Sequence, residues 1–148
     1  LQRRLDVHIC IDTGMGRVGP DAEHALPLVQ KVLELSNLNP TGIYSHYSSA
    51  DADYSFSREQ LKRFTSLVKS LDKEGIVIPF RHISNSAGIL ALEEGYFDMV
   101  RPGLLLYGIY PYGKPVDSEI KLDLKKALTL KTKVVFVKNV PKGTPINA

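Results

Sequence analysis

The segment at residues 5–17 reads LDVHICIDTGMGR and decides the fold, because an alternating run in it leads directly into a glycine-rich turn. Apolar and polar residues alternate from 5 to 12, and this period of two predicts a strand with two distinct faces. The glycines at positions 14 and 16 are turn formers and predict that the strand ends there. One predicted face carries Val7, Ile9 and Ile11, and the other carries His8, Cys10 and Asp12.

Helices and strands alternate from this strand to residue 101. The helical pattern is clearest at 57–75, where Ser57 and Gln60 have the spacing of a capping box and Phe56 and Leu61 that of a hydrophobic staple. The predicted helices cover residues 21–35, 57–75 and 85–94, and the further predicted strands cover residues 41–46, 76–83 and 97–101.

The resulting order β-α-β-α-β-α-β indicates an α/β fold, because strands separated by helices pair in parallel through right-handed crossovers. The pattern changes after residue 107. A linker is predicted at 110–115, and the β-rich run at 127–140 contains no helix. That run predicts the beginning of a second, all-β domain.

The composition is that of an ordinary globular domain, with 148 residues, 43% hydrophobic and 24% charged. It excludes a disordered tail, a collagen-like repeat and a disulfide scaffold, and the single cysteine favours a cytoplasmic location. No apolar run reaches the ~20 residues of a membrane helix. Seven lysines fall within residues 121–148, but they alternate with apolar positions and lack an aromatic stacking platform. We therefore expect no membrane partner and no nucleic-acid partner.

Polar residues stand at the end of every predicted strand. In parallel α/β folds, ligands bind at the carboxyl ends of the strands, so these residues are expected to form one site. They are the block Asp12–Arg17, His46, the triplet Ser84–Ser86, and Arg101 with the following Pro102, Gly103 and Leu104.

The residue types in this predicted site favour an anionic ligand. Ser86 lies at a predicted helix start and Gly103 provides an open backbone, and free N–H groups with the helix dipole suit phosphate. Arg17 and Arg101 stay cationic at any working pH and can hold a carboxylate or an unprotonated ring nitrogen. His46 can orient or relay a proton near neutral pH.

The same residues also allow less specific interpretations. Ser86 is suited to be a plain helix N-cap, Arg101 to be a salt-bridged surface residue, and His46 to be a hydrogen-bonded core histidine. The remaining three histidines of the chain are expected to be structural, and they are His8, His24 and His82.

No metal site is expected. His8, Cys10 and Asp12 share a predicted strand face, but residues two apart on one strand rarely converge on one ion. Cys10 is also not expected to be a nucleophile, because no base is evident beside it.

Taken in order, these blocks resemble the alanine racemase family, fold type III enzymes that use pyridoxal 5′-phosphate (PLP). The similarity covers essentially the whole chain, including the stretch 128–140 that is similar to the family's entry into its β-domain. The matching blocks are Asp12–Gly19, Ser45–Tyr47 with Ala50–Asp51, Asn85–Ala87, Val100–Gly103 and Leu106–Gly108.

The resemblance implies that residues 1–112 are the C-terminal half of a PLP-binding (β/α)8 barrel of the TIM type. Residues 113–148 would then be the linker and the first strand or strands of a C-terminal all-β domain. Because a complete barrel takes about 250 residues, the chain is expected to be an internal fragment of a longer protein.

For the cofactor phosphate, the resemblance implies a cradle made by Ser86 and the backbone N–H groups of Gly103 and Leu104. Asn85 would be a neighbour of that phosphate.

Three further residues take roles from the resemblance. Arg17 would lie near the phenolic oxygen of PLP and the substrate carboxylate. Arg101 would hydrogen-bond to the pyridine nitrogen, and His46 would link Arg101 to the catalytic tyrosine. Since a guanidinium keeps its proton, the pyridine nitrogen is expected to stay unprotonated and the cofactor to be a weakened electron sink.

The implied activity is the interconversion of L-alanine and D-alanine for peptidoglycan, catalysed by a cytoplasmic homodimer with two bases. The Schiff-base lysine would lie upstream of residue 1 and the catalytic tyrosine downstream of residue 148, so the 148-residue chain alone is expected to be inactive. Cys10 departs from the family, since many members have a lysine there. The alternatives are a serine or broad-specificity racemase, or a non-catalytic half-barrel that at most binds PLP or phosphate.

Overall fold

The computed structural model describes residues 3–111 and 122–146. Its strands are β1 (Leu5–Cys10), β2 (Leu38–Tyr44) and β3 (Phe80–His82). Its α-helices are α1 (Ala25–Leu33), α2 (Tyr54–Lys73) and α3 (Ser86–Ala91). Short 3₁₀ turns are found at Ala22–His24, Glu93–Gly95 and Leu104–Tyr107.

The three strands form one parallel sheet in the order β1-β2-β3, with a helix between consecutive strands. The α/β class predicted from the sequence is therefore confirmed. The register shifts once, where Val7 pairs with Pro40 and the next residue, His8, pairs with Gly42. The shift falls at a proline because Pro40 has no N–H to donate to the ladder.

Helices α1 and α2 cover one face of the sheet and form the core with it. Ile9 and Ile11 point into this core, as the alternation predicted, and Ile43 joins them from β2. Burial of these apolar side chains is the main stabilising contribution. The opposite face of the sheet carries the rings of His8, Tyr44 and His82, which contact one another.

Helix α2 begins earlier than the capping box predicted. Asp53 is its N-cap, because its carboxylate accepts a hydrogen bond from the N–H of Phe56 at 2.9 Å. Ser57 lies buried in the first turn and donates to the carbonyl of Asp53 at 2.8 Å. The capping box at Ser57 and Gln60 is therefore wrong. An ionised carboxylate one turn upstream is the stronger acceptor for the free N–H groups.

The third strand and the third helix are shorter than predicted. Strand β3 covers only part of 76–83, because Pro79 cannot donate to the ladder immediately before its first residue. Helix α3 ends at Ala91 rather than at Glu94, and a 3₁₀ turn follows it.

The fourth strand predicted at 97–101 is not formed. Phe97 has φ of 47°, in the left-handed region, and this conformation interrupts an extended run at its first residue. The segment still runs beside β3, and its two backbone hydrogen bonds to that strand and its extension join Asp98 to Arg81 at 3.1 Å and Arg101 to Ser84 at 2.9 Å.

The β-rich run at 127–140 forms no strand in the part of the chain that the structure describes, and its side chains are exposed. A strand needs a neighbour to accept and donate its backbone hydrogen bonds, and among the described residues this run makes one such bond, from the N–H of Ala127 to the carbonyl of Tyr107 at 3.1 Å. Most of the linker predicted at 110–115, and the domain boundary at 112, lie outside the described residues. None of the described helices is long and apolar enough to cross a membrane.

Candidate functional site

Arg101 is placed where its side chain can reach the ends of β2 and β3. Its backbone N–H donates to the carbonyl of Ser84 at 2.9 Å, which fixes it at the open edge of the sheet beyond β3. Its side chain then extends back across β3 towards β2. The sequence-predicted residues Arg101 and His46 are in this way brought together, although they come from different strand ends.

Four acceptors surround the guanidinium of Arg101. Its Nη2 shares two hydrogens among the carbonyl of Ser45 at 2.7 Å, Nδ1 of His46 at 3.2 Å and the carbonyl of Ile83 at 3.3 Å. Its Nη1 donates to Nδ1 of His82. These partners are carbonyls and imidazoles rather than carboxylates, so Arg101 is not the salt-bridged surface residue that its sequence context also allowed.

The two histidines beside Arg101 are neutral and have a defined tautomer. A guanidinium only donates, so Nδ1 of His46 and of His82 must accept and the ring proton of each lies on Nε2. Burial, and then the charges of Arg101 and Arg17, lower the pKa of His46 below its usual value. Burial, Arg101 and His8 lower the pKa of His82 to about 4. Both rings are therefore acceptors for Arg101 at neutral pH.

Tyr44 packs against the same pair. The guanidinium carbon of Arg101 lies 5.2 Å from the centre of the Tyr44 ring, and the His82 ring stacks on Tyr44 at 5.1 Å with 4° between the planes. A hydrogen bond with Cys10, and then burial, raise the pKa of Tyr44, so its phenol stays protonated. The sequence did not indicate Tyr44 or His82 as site residues, because alternation does not show which side chains meet across strands.

The glycine-rich loop after β1 closes on its own aspartate. The carboxylate of Asp12 accepts from the N–H of Gly14 at 2.7 Å, of Met15 at 2.8 Å and of Gly16 at 2.8 Å. Burial alone would raise the pKa of Asp12, but these N–H groups outweigh it and hold the pKa below its usual value. The amide donors of the loop are thus used internally, and the loop presents Arg17 rather than a phosphate cradle.

Arg17 is exposed and borders a small cavity of about 90 Å³. Cys10, Tyr44 and His46 also line this cavity, so the loop after β1 and the end of β2 share it. Its size suits a few waters or one small polar group such as a carboxylate.

Ser86 lies at the first position of α3, where it receives hydrogen bonds from another loop. Its Oγ accepts from the N–H of Gly103 at 2.8 Å and of Leu105 at 3.3 Å. The N-cap of α3 is Asn85, whose side chain accepts from the N–H of Gly88 at 3.0 Å, so Ser86 is not a plain N-cap. The structure therefore brings Ser86 and Gly103 together.

Leu104 begins the 3₁₀ turn next to this contact. A Cβ built at Gly103 would approach only the Ser86 Oγ, at 3.9 Å, so the backbone there is open. Open backbone beside a hydroxyl is compatible with an anion, although the N–H groups of Gly103 and Leu105 already donate to that hydroxyl.

A buried polar network joins the loop after β1 to the loop after β2. The hydroxyls of Thr13 and Ser45 are 2.7 Å apart, and Nε2 of Gln60 donates to Thr13 Oγ1 at 3.3 Å and to the carbonyl of His46 at 3.0 Å. Oε1 of Gln60 accepts from the N–H of Ser48 at 3.0 Å. Gln60 is fully buried on α2. The sequence offers one sign of this network, because Gln60 is a polar residue on the apolar side of a predicted helix.

Comparisons with known proteins agree on one family. The family model described as the N-terminal domain of alanine racemase matches residues 1–111. The alanine racemase of Carboxydothermus hydrogenoformans is 45% identical over 148 residues, which are 99% of this chain and 39% of the relative. That of Desulforamulus reducens is 45% identical over 98% of this chain and 39% of the relative. The chain thus spans about two fifths of the length of these curated relatives.

Solved structures show the same similarity. The alanine racemase of E. faecalis has a TM-score of 0.72 and 32% identity, covering 83% of this chain and 32% of that one. The alanine racemase of Clostridium difficile 630 in complex with cycloserine has a TM-score of 0.70 and 31% identity, covering 74% of this chain and 30% of that one.

Proposed function

The chain belongs to the alanine racemase family, and from this premise we propose that it forms part of a PLP-dependent racemase that interconverts L-alanine and D-alanine. It spans about two fifths of the length of these curated relatives, so this activity is a property of the complete protein that contains the chain. The chain's own contribution is the layer of side chains that receives the cofactor and the substrate carboxylate.

The observation that carries the proposal is the way Arg101 is held. Its Nη1 and Nη2 are engaged with imidazole and carbonyl acceptors, whereas no hydrogen bond between described residues uses its Nε–H. The Nε–H of this half-buried, immobilised guanidinium is therefore left for a ligand, and so is the second hydrogen of Nη1. A pyridine nitrogen is a suitable partner, because it accepts a hydrogen bond and a guanidinium does not release its proton to it.

Ser86, Gly103 and Leu104 fit the phosphate of the same cofactor. The Ser86 hydroxyl accepts from the N–H groups of Gly103 and Leu105, and the backbone beside it is open because Gly103 carries no side chain. Asn85 fixes the start of α3 beneath them, with its amide bonded to the carbonyl of Tyr47 at 3.3 Å. The residues present thus fit both polar ends of PLP.

The bound pyridoxal ring would supply the electron withdrawal that acidifies the α-hydrogen of the amino acid. Arg101 would keep the ring nitrogen of the bound cofactor unprotonated, and the weaker electron withdrawal would favour return of the proton over side reactions. Arg17, beside the small cavity, binds the substrate carboxylate. His46 is neutral, holds a proton on Nε2, and orients the tyrosine base from the rest of the protein.

The place of the chain in the complete protein follows from the same family. Residues 1–112 are proposed to be the C-terminal half of a (β/α)8 barrel, and 113–148 to begin the β-domain. The parallel sheet supports this division, and so does the end of the family match at residue 111. A cytoplasmic homodimer that supplies D-alanine for peptidoglycan is the corresponding biological role.

Racemisation of L-alanine by the complete protein, together with PLP absorbance, tests the proposal. Arg101→Lys should lower turnover by about 100-fold, because a lysine cannot keep the same four acceptors and still donate to the ring. Arg81→Lys is the matched control, since Arg81 lies on β3 but pairs with Asp98 at 3.2 Å. Equal turnover in the Arg101→Lys variant and the parent would contradict the role of Arg101. Absence of racemisation in the parent would contradict the function itself.

A further inference from the structure

A second histidine stands behind His82 on the face of the sheet that the core does not use. Nδ1 of His8, on β1, lies 2.8 Å from Nε2 of His82, on β3. The ring of His8 also stacks on Phe80 at 6.4 Å. These contacts cross the whole width of the sheet, because β2 lies between the two strands.

Gly42 makes the crossing possible. In the register of the sheet, His8 pairs with Gly42 on β2, and Gly42 pairs with Phe80 on β3. A Cβ at Gly42 would lie 2.5–2.6 Å from three atoms of the His8 ring. The ring can therefore lie across β2 and reach β3 only because position 42 has no side chain. A glycine inside a buried strand marks such a close approach.

Arg101 fixes the direction of both hydrogen bonds in the series Arg101–His82–His8. Arg101 donates to Nδ1 of His82, so the ring proton of His82 lies on Nε2 and points at His8. Nδ1 of His8 must then accept. Each member thus holds the next in one rotamer and one tautomer, from the surface of β1 to the guanidinium.

We propose that His8 is a positioning residue for Arg101, that it acts through the imidazole of His82, and that Gly42 is required for this action. His8 fixes the plane of the His82 ring by accepting a hydrogen bond from its Nε2–H. His82 in turn fixes Nη1 of the guanidinium by accepting a hydrogen bond from it. The consequence for turnover rests on the proposed racemase function, whereas the coupling among the three side chains does not.

The test uses four variants of the complete protein: His8→Leu, His8→Asn, Gly42→Ala and the double variant Gly42→Ala with His8→Leu. His8→Leu removes the acceptor, and His8→Asn restores an acceptor near the Nδ1 position. Gly42→Ala leaves His8 in the chain but fills the space that its ring occupies. Thermal unfolding of each variant establishes that it is folded.

The first readout is the histidine ring region of the ¹H–¹⁵N NMR spectrum, recorded without added cofactor. The parent should show a slowly exchanging Nε2 proton for His82. His8→Leu and Gly42→Ala should both lose this signal to solvent exchange, and the Arg101 Nη signals should broaden with it. His8→Asn should keep them. Unchanged His82 and Arg101 signals in folded His8→Leu would overturn the proposal.

The second readout is the turnover of L-alanine. His8→Leu and Gly42→Ala should each lower kcat by about tenfold, as expected for one lost hydrogen bond, and the double variant should be no worse than His8→Leu alone. His8→Asn should recover most of kcat. If the loss of kcat in the double variant equals the product of the two single losses, Gly42 acts independently of His8. That result would overturn the proposed requirement for Gly42. A parent without racemase activity but with the expected NMR changes would refute the proposed function and leave the coupling standing.

Discussion

The side-chain amide of Gln60 donates from Nε2 to the carbonyl of His46 at a distance of 3.0 Å. Gln60 belongs to α2 and is fully buried, whereas His46 lies in the loop after β2. The same amide reaches Thr13 at the start of the loop that carries Arg17. One helix residue therefore determines how two loops of the site stand relative to each other.

Replacing Gln60 by leucine should destabilise the protein by about 2 kcal/mol, because the buried hydroxyl of Thr13, the half-buried carbonyl of His46 and the N–H of Ser48 each lose a hydrogen bond to its amide. Leu67→Met is the control, since it changes a buried side chain of the same helix at nearly constant volume and should cost less than about 1.5 kcal/mol. Chemical denaturation measures both. Equal losses in the two variants would show that Gln60 acts only as a packing residue.

Tyr47→Phe should leave the free energy of unfolding unchanged or raise it by up to about 1 kcal/mol. The hydroxyl of Tyr47 is buried and finds no hydrogen-bond partner among the described residues, and burial is the main cause that raises its pKa. Tyr96→Phe is the matched control. The hydroxyl of Tyr96 donates to the carbonyl of Ile89 at 2.6 Å, so its loss should destabilise the protein. The prediction fails if both variants are destabilised equally in denaturant titrations.

His82 should make the stability of the folded protein fall as the pH drops from about 6.5 to about 4. Its pKa is lowered from the ordinary value of 6.5 to about 4, so in this range the unfolded chain binds a proton that the folded protein excludes. The side chain is only 2% exposed, and the loss can reach about 3 kcal/mol.

Denaturant titrations between pH 4 and 7 check this slope. His82→Asn should flatten it, whereas His24→Asn should not, because His24 is an exposed ring that makes no side-chain cap at the start of α1. If the unfolding free energy of His82→Asn still falls with pH as in the parent, groups other than His82 cause the pH dependence.

Asp12→Ala should raise the KM for alanine. The rise should be larger than in a variant whose unfolding free energy is lowered by a similar amount. The substitution leaves the N–H groups of Gly14, Met15 and Gly16 without their acceptor, and the loop that carries Arg17 loses its shape. Asp53→Ala is the control, because it removes an N-cap of α2, costs about 1 kcal/mol and leaves the loop intact. Steady-state kinetics measure the KM for alanine in both variants. Similar KM values in Asp12→Ala and Asp53→Ala would contradict a role of the loop in substrate binding.

The local pattern of the sequence was sufficient for three strands of the sheet, but not for the fourth predicted strand or for every end of an element. The alternation at 5–12 predicted both the strand and its buried face at Ile9 and Ile11. The start of α2 was mispredicted because two residues, Asp53 and Ser57, are both good N-caps, and only the course of the preceding loop selects between them. The interruption at Phe97 depends on a backbone angle that no residue preference announces.

The sequence was sufficient to predict a set of polar residues for the site, because strand ends can be read from the order of elements. Among the contacts that hold Arg101, the resemblance implied the one with His46, but the pattern of the sequence did not predict the others, because they join residues far apart in sequence. His8 and His82 are separated by 74 positions, and each alone resembles an ordinary structural histidine. Gly42 in the middle of a strand was the one local sign of a ring crossing the sheet, and its meaning depends on knowing the strand order.

Residues 134–137 should make the 148-residue chain associate when it is produced by itself. The run Val134-Val135-Phe136-Val137 is apolar and consists of β-branched and aromatic residues, with Val135 91% exposed, and such a segment pairs with a second copy if nothing covers it. Val135→Lys should therefore lower the apparent mass in light scattering, because a charge on this face opposes pairing. Val77→Lys is the control, since Val77 is 81% exposed but lies outside the run. If both substitutions reduce association equally, general charge rather than this segment is responsible.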